Sequence, residues 1–413
     1  MDSALEKVKN NLSRAAERLK LISSHDALIV LRSCMGVPKV NYLLRSSPCA
    51  GHHLLIQIDW LLRSSLSMIV NTNLTDDQWI QASLPVKLGG LGIRSVTLLA
   101  PSAYLASAAG TLNLQEKILQ EVQNTTDQEL SRITSIWSSH CSTGVPLGMA
   151  ACHQREWDSR VCAAMYGSLQ ERQEIAADKA RLLAVSAPHS SDWLHALPIS
   201  ACGLRLDNEA IRVAVGFRLG AKLCEPHHCP CGEEVDIKGL HSLVCKKSAG
   251  RMRRHQHLND VVYRALNKAG VPAVKEPVGL LHSDGKRPDG VTQIPWDSGK
   301  CAAWDVTVTD TLAASNLPYS SAAAGGSAER AAEKKEEKYT ELAVCYHFIP
   351  IAFETLGPVN NAGMEFIQSI DRRLHTFSGD ARSCSFLWQR LSMTVQRYNA
   401  LCLLGTFETL SDE

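Results

Sequence analysis

The chain has 413 residues, of which 45% are hydrophobic and 21% are charged. This composition is typical of a soluble protein of about two or three domains. The formal net charge is only +1, so nucleic-acid binding would have to come from local basic patches and not from a global field. We expect neither an export signal nor a membrane segment, because the N-terminal segment is charged and no continuous apolar run is long enough to span a bilayer.

The first half of the chain is predicted to be helical. Within residues 1–110, a helix is predicted to begin after Thr75. The segment "LPVKLGGLGIRS" lacks the Lys and Ser/Thr of a phosphate loop, so we interpret it as a turn with close backbone packing. Residues 111–220 form a further helical region. The composition changes at Cys224, where residues 221–250 are rich in cysteine and histidine. Residues 251–357 then alternate helices with short strands, and residues 358–413 are helical again, so the predicted fold class is α+β.

The segment "CEPHHCPCGEEVDIKGLHSLVC" predicts a metal site, since scattered cysteines in a reducing compartment pack as small apolar residues whereas clustered ones bind metals. Four soft ligands within about 25 residues, in two groups, suit a tetrahedral structural zinc ion. The predicted ligands are Cys229, Cys231, His241 and Cys245. The spacing of the first two is tighter than usual, so Cys224 stays open as a replacement for Cys229. The alternative is a run of unligated residues.

A basic run joins this cluster to the next helix. It contains Lys246, Lys247, Arg251, Arg253 and Arg254. The apolar residues of the helix share one face, and Asp260 points away from that face, so we exclude Asp260 from the site. A basic run can be a solvated surface; beside a metal cluster we favour contact with nucleic-acid phosphates.

Two aspartates then raise a question about "KRPDG" and "CAAWDVTVTD". Pro288 has no backbone N–H and belongs at a strand end, so Asp289 lies at the mouth of a strand. Strand alternation places Asp305 with Thr307 on one face, opposite Trp304. Either the aspartates are solvated turn and edge residues, or both reach one Mg²⁺ ion, which prefers one or two carboxylates together with phosphate oxygens.

A lysine-rich helix is predicted over "ERAAEKKEEKYTELAVCYHF". Its apolar centre consists of Tyr339, Leu342 and Tyr346. Lys335 lies in the middle of that face, Lys338 at its edge and Lys334 farther out. A lysine directed into a core needs an anionic partner. We therefore predict that Asp289, Asp305 and Lys335 meet around a metal ion and a scissile phosphate; the alternative is an Asp-rich hairpin beside a salt-bridged helix.

The pattern "KRPDG…WDVTVTD…KEEKY" resembles the restriction-like endonuclease of site-specific non-LTR retrotransposons, a member of the PD-(D/E)xK superfamily. The resemblance implies that Asp289 and Asp305 bind Mg²⁺ and that the catalytic lysine has moved onto the following helix. It maps the family's Lys-x-x-Lys-Tyr pattern onto Lys335, Lys338 and Tyr339 as catalytic residues. The cysteine-histidine cluster is similar to that family's zinc knuckle. The segments "HDALIVLR", "VPKVNYLLRSSP" and "LPVKLGGLGIRS" are similar to the region after the polymerase palm.

The resemblance covers most of the chain and is most specific from Cys224 to Gly357. It implies a thumb-like region in 1–110, a helical linker in 111–220, a zinc knuckle in 221–250, a restriction-endonuclease-like α/β core in 251–357 and C-terminal helices in 358–413. The implied function is a Mg²⁺-dependent endonuclease that nicks double-stranded DNA for integration, in the nucleus or in the cytoplasm before import. Element RNA stays open as a second partner, and no membrane is involved. No aromatic-x-Asp-Asp motif occurs, so we expect no polymerase activity from this chain. The alternative is a catalytically inactive, zinc-anchored module that binds DNA or RNA.

Overall fold

The computed structural model of the chain describes residues 1–119, 127–280, 287–380 and 382–407. The chain divides into two compact units, Met1–Gln173 and Glu174–Glu413. Helices form the first unit, and helices with small sheets form the second, which confirms the α+β class. The boundary after Gln173 falls inside the predicted linker region 111–220, and the finer division into regions stays a prediction.

The described residues of the first unit form helices joined by short turns. These are α1 (Asp2–Leu19), α2 (Ser24–Val30), α3 (Val37–Ser46), α4 (His53–Val70), α5 (Asp76–Ser83), α6 (Val96–Leu119), α7 (Gln128–His140) and α8 (Gln154–Glu171). Thr75 caps α5 as predicted: its side chain accepts from the Gln78 N–H, and the Gln78 side chain accepts from the Thr75 N–H. A Cβ on Gly90 would lie 2.0 Å from the Leu84 carbonyl oxygen, so the glycine turn is a point of close backbone packing.

The stretch Ser24–Ser46 passes the length and composition test for a membrane span, with a mean hydropathy of 1.2. Such a result for one helix near an N-terminus is weak evidence, because core helices of soluble proteins pass the same test. The stretch is not one regular helix: Leu31–Met35 is π-helical, and Gly36 separates α2 from α3. Its buried residues pack within the first unit, where α3 contacts α6 and α2 contacts α4.

The described residues of the second unit combine a two-stranded and a four-stranded sheet with helices. Its elements are α9 (Ala176–Ser186), α10 (Asn208–Leu219), β1 (His227–His228), β2 (Glu234–Val235), α11 (His241–Val244), α12 (Ala249–Lys268), β3 (Ala273–Lys275), β4 (Gly290–Asp297), β5 (Lys300–Thr309), α13 (Leu317–Ser320), α14 (Gly326–Lys338), α15 (Leu342–Cys345), β6 (His347–Glu354), α16 (Asn361–Ser378) and α17 (Ser383–Leu404). The larger sheet has the order β3-β4-β5-β6. The first two pairings are antiparallel, and β6 returns parallel to β5 after α14 and α15.

The core of this unit fixes the orientation of β5. Trp304 and Val306 are buried in an apolar cluster with residues of α12, α16 and α17. The alternating side chains at Asp305 and Thr307 consequently face α14, which contacts both β5 and β6. Gly290 lies opposite Trp304, and a Cβ there would lie 2.1 Å from the indole ring. Glycine is therefore required after Asp289 because the tryptophan ring occupies the space of a side chain.

The lysine-rich helix is shorter than predicted. We expected one helix to continue through Tyr346, but α14 ends at Lys338 and Tyr339 adopts φ −105° and ψ 25°. The chain turns there, forms the short α15, and enters β6. The reason is topological: β6 must start beside Ala302 of β5, so the chain has to reverse soon after the lysines.

Candidate active site and metal centre

Asp289 lies at the mouth of β4, where its carboxylate reaches across to the neighbouring strand. Its Oδ2 accepts a hydrogen bond from the Val306 N–H at 2.6 Å and lies 3.0 Å from His255 Nε2. The same His255 nitrogen is 3.0 Å from the Val306 carbonyl oxygen. Both neighbours of Nε2 are acceptors, so Nε2 carries the ring proton that it shares with them. The other oxygen, Asp289 Oδ1, accepts no hydrogen bond from the part of the chain that the structure describes.

Asp305 lies in the middle of β5 and is nearly enclosed, with 5% of its side chain exposed. Lys335 of α14 places its Nζ 2.5 Å from Asp305 Oδ2, and the Tyr339 hydroxyl lies 3.4 Å from Oδ1. Lys335 and Asp305 form an ion pair, but the geometry of the contact does not meet the criteria for a hydrogen bond. Asp305 Oδ2 is therefore buried without a well-aligned donor among the described residues. Lys335 neutralises the buried carboxylate, and another ligand could reach Oδ2 only if the lysine moved away.

The two carboxylates influence each other. Burial raises the pKa of Asp305, and the nearby charge of Asp289 raises it further, while Lys335 and His255 oppose the shift. The hydrogen bond to Asp289 raises the pKa of His255 against the effect of its burial. A pair of carboxylates held together by a lysine and a histidine is a site where a bound cation would relieve repulsion.

The lysines of α14 differ as the helical wheel predicts. Lys334 is exposed, whereas Lys335 is half-buried and faces Asp305. Lys338 is also half-buried, and its Nζ lies 4.8 Å from the centre of the Tyr339 ring. Tyr339 itself is buried. The structure therefore brings Asp289, Asp305 and Lys335 into one network, with Tyr339 at its edge.

Sequence reasoning missed His255 and Asn259, which support Asp289 from α12. The Asn259 amide donates to the Asp289 carbonyl oxygen at 3.2 Å, and its side-chain oxygen accepts from the Trp304 indole N–H at 2.8 Å. The two residues are four apart and share one face of the helix. That spacing, next to the buried Leu258, was a signal of polar residues directed inward.

The cysteine-histidine cluster folds into a compact site. The ligand atoms of Cys229, Cys231, His241 and Cys245 all lie within 4.8 Å of one another. Zinc–sulfur bonds of about 2.3 Å at the tetrahedral angle put two sulfurs roughly 3.8 Å apart, and the two buried thiols, Cys229 and Cys245, have their sulfurs 3.6 Å apart. The four side chains thus fit a tetrahedral ion such as zinc, which they would hold with no position left for substrate.

The structure selects Cys229 and not Cys224 for this cluster. The thiol of Cys224 instead donates to the Asp236 carbonyl oxygen at 3.3 Å. The tight Cys229–Cys231 spacing is possible because Gly232 adopts φ 97° and lets the chain turn back within a β1–β2 hairpin. Burial raises the pKa of the Cys229 thiol to about 11, and the Glu233 backbone N–H lowers the pKa of the Cys231 thiol to about 7.

The metal cluster packs against α17 and the residues that directly follow this helix. The His227 ring stacks on Phe407 at a centroid distance of 4.3 Å, and its Nε2 lies 2.9 Å from the Thr406 hydroxyl. A Cβ on Gly239 would lie 2.6 Å from a Leu403 methyl, so the loop before α11 packs directly on α17. The cluster is therefore held on the same helix that packs against the sheet through α12.

The basic run separates into exposed and buried members. Lys246, Lys247 and Arg253 are exposed, and Arg251 is half-buried. The prediction that Arg254 contacts DNA is wrong for this structure, because only 2% of that residue is exposed and its guanidinium donates to Asn399. Helical periodicity turns Arg254 inward, one position after the outward Arg253. Asp260 lies outside the site as expected, paired with Lys275.

No family model matches the chain, but it is similar to a known protein. In an alignment of 373 residues that covers 88% of the chain, the sequence is 23% identical to the retrotransposable element SLACS 132 kDa protein of Trypanosoma brucei gambiense. The chain spans 27% of the length of that relative. The match supports, at a coarse level, a relation to a protein of a retrotransposable element.

Proposed function

We propose that the second unit is a Mg²⁺-dependent endonuclease that nicks double-stranded DNA. The observation that carries the proposal is the Lys335–Asp305 ion pair, with Asp289 on the adjacent strand. A buried carboxylate, a second carboxylate with an open oxygen and a lysine together suit phosphodiester hydrolysis. The similarity to a retrotransposable element protein supports this choice.

Each side chain has a role that follows from its contacts. Asp289 and Asp305 would hold the cation, which supplies Lewis-acid polarisation of the phosphate and a lowered pKa for a bound water. His255 and the Val306 N–H hold Asp289 through its other oxygen, so its free oxygen has a fixed direction. With the cation on the carboxylates, Lys335 would turn its ammonium to the scissile phosphate and stabilise the charge that develops there.

The exposed lysines and arginine would hold the DNA backbone. Lys246 and Lys247 follow the last cysteine of the metal cluster, and Arg253 lies in the first turns of α12. Replacing all three with alanine should weaken DNA binding at every sequence. The slope of log affinity against log salt should fall by about 0.9 for each phosphate that the variant no longer neutralises. An unchanged slope would mean that the run is a solvated surface.

A second candidate is an inactive zinc-anchored module that binds DNA or RNA. The observation in its favour is that His255, Lys335 and Tyr339 already surround the two carboxylates, as in a purely structural network. Both candidates predict nucleic-acid binding through the basic run, so binding alone does not separate them.

A nicking assay separates the two. Supercoiled plasmid is incubated with the purified chain in Mg²⁺, with and without EDTA, and the open-circular product is quantified. Asp289→Ala, Asp305→Ala and Lys335→Ala should each abolish nicking, whereas the exposed Lys334→Ala should nick at the parental rate. Equal activity in all of these variants would place the endonuclease site elsewhere or assign the nicks to a contaminant. No activity in the parent would favour the inactive binding module.

A further inference from the structure

A cavity of about 270 Å³ lies beside the proposed active site, on the same two elements. It is bounded by Thr307 and Thr309 of β5 and by Ala331 of α14. Thr307 is two residues beyond Asp305 on the same strand face, an advance of roughly 6.6 Å. Ala331 is one helical turn before Lys335 on the same helix face. The cavity therefore continues the groove between β5 and α14 in which the Lys335–Asp305 pair lies.

The far wall of the cavity comes from the metal cluster and the start of α12. Leu243 and Val244 of α11 supply apolar surface, and Arg251 supplies a cation. Arg251 uses only its Nη1 in described hydrogen bonds, to the carbonyl oxygens of Val244 and Cys245 at 2.8 and 3.4 Å. It forms no ion pair with an acid in the described ranges, and its charge acts on the Asp310 carboxyl that also lines the cavity. Its remaining N–H groups are available to a ligand in the cavity.

The polar lining offers hydrogen-bonding groups for a neutral ligand. The Thr307 hydroxyl has no hydrogen bond to another described residue. The Asn316 amide donates to Thr309 Oγ1 and to the Asp310 carbonyl oxygen, which leaves its own side-chain oxygen as an acceptor. Asp310 also lines the cavity, and its carboxyl group accepts from the Thr355 hydroxyl at 2.6 Å. This carboxyl group disfavours a phosphate next to it and favours a donor-bearing ring.

We propose that the cavity is a subsite for one nucleoside of the DNA strand next to the scissile phosphate. The inference rests on the proposed function and adds where the flanking nucleotide lies. The base enters between the apolar wall of Leu243 and Val244 and the small side chain of Ala331, and the adjoining phosphate meets Arg251. The volume is below the range of about 300–1,000 Å³ typical of sites for drug-sized ligands, which suits a single nucleoside and not a duplex.

The pocket can be tested without cleavage. The probe is the dinucleotide d(pTpT), and saturation-transfer NMR with the full chain reports whether its base protons contact the protein. Ala331→Leu should abolish transfer to one base, because the leucine fills the cavity; Ala331 is only partly buried, unlike Ala328 and Ala332. Arg251→Ala should weaken binding of the probe about tenfold. Lys334→Ala removes the same charge from an exposed position of α14 and should leave the transfer unchanged.

Thr307→Val guards against a folding defect, since it preserves volume and removes only the hydroxyl. It should weaken the probe less than Arg251→Ala while hydrogen exchange in β5 stays parental. The subsite proposal is overturned if the parent shows no saturation transfer to the bases. It is also overturned if transfer is equal in the parent and in Ala331→Leu. Equal weakening in Arg251→Ala and Lys334→Ala also overturns it, because only general electrostatic attraction would then be at work.

Nicking of plasmid distinguishes this inference from the proposed function. Ala331→Leu should raise KM about tenfold and change kcat less, because the catalytic carboxylates are untouched. A parent that binds d(pTpT) in the cavity but never nicks would retain the subsite and reject the endonuclease. If the parent nicks and Ala331→Leu is unaltered in both the nicking and the binding assay, the endonuclease proposal stands and the subsite proposal is rejected.

Discussion

The Lys335–Asp305 ion pair should respond unequally to the removal of its two members. Asp305 has 5% of its side chain exposed, whereas Lys335 has 28% exposed. Lys335→Ala leaves a buried carboxylate beside Asp289 without its counter-charge. Breaking a fully buried pair costs about 3–5 kcal/mol, and the partial exposure of the lysine reduces this to about 2 kcal/mol. Asp305→Ala should cost little, because the lysine can extend into water and the repulsion between the carboxylates disappears.

Stability can be measured separately from activity in these variants. Hydrogen exchange of β5 amides, followed by mass spectrometry of the full chain, should show faster opening in Lys335→Ala and near-parental opening in Asp305→Ala. A stability difference of about 2 kcal/mol corresponds to roughly 30-fold in the opening equilibrium. The double variant Asp305→Asn with Lys335→Ala should return to near-parental exchange, because the uncompensated charge is gone. Lys334→Ala serves as the matched control.

One pattern of results would refute this reasoning. If Asp305→Ala opens β5 and Lys335→Ala does not, the aspartate stabilises the strand through contacts other than the ion pair. If the double variant is as unstable as Lys335→Ala, the missing packing of the lysine stem accounts for the effect and the buried charge does not.

The remaining predictions concern the metal cluster, the strand mouth and the buried arginine. Elemental analysis of the purified chain should find about one zinc ion, and a parent without zinc would contradict the site. Cys231→Ser should lose the zinc and unfold the cluster, whereas Cys224→Ser should retain it. Gly290→Ala should destabilise the second unit by about 3 kcal/mol in urea unfolding and stop nicking, because the added Cβ would overlap the Trp304 ring. Unchanged stability would mean that the ring can move. Arg254→Ala should lower stability by about 2 kcal/mol without changing the salt slope of DNA binding, and a reduced slope would restore it as a phosphate contact.

Local patterns were sufficient for much of the fold. The helix cap at Thr75, the strand start after Pro288 and the alternation around Asp305 each depend on residues within a few positions of one another. The inward face of Lys335 follows from helical periodicity in the same way. The grouping of cysteines and histidines was recognisable because metal ligands come close together along the chain.

The features that the sequence did not determine depend on which faces of the helices and strands pack together. Cys224 and Cys229 are equivalent by type, and only the β1–β2 hairpin brings the second into the cluster. His255 is 34 residues from Asp289, and nothing in either segment indicates the other as its partner. The end of α14 at Lys338 is set by the need to return beside β5. Periodicity determines which residues share a face, but the packing of whole elements determines which faces touch. For that reason the sequence determined the carboxylates and the lysine, while the tertiary structure decided their supporting contacts.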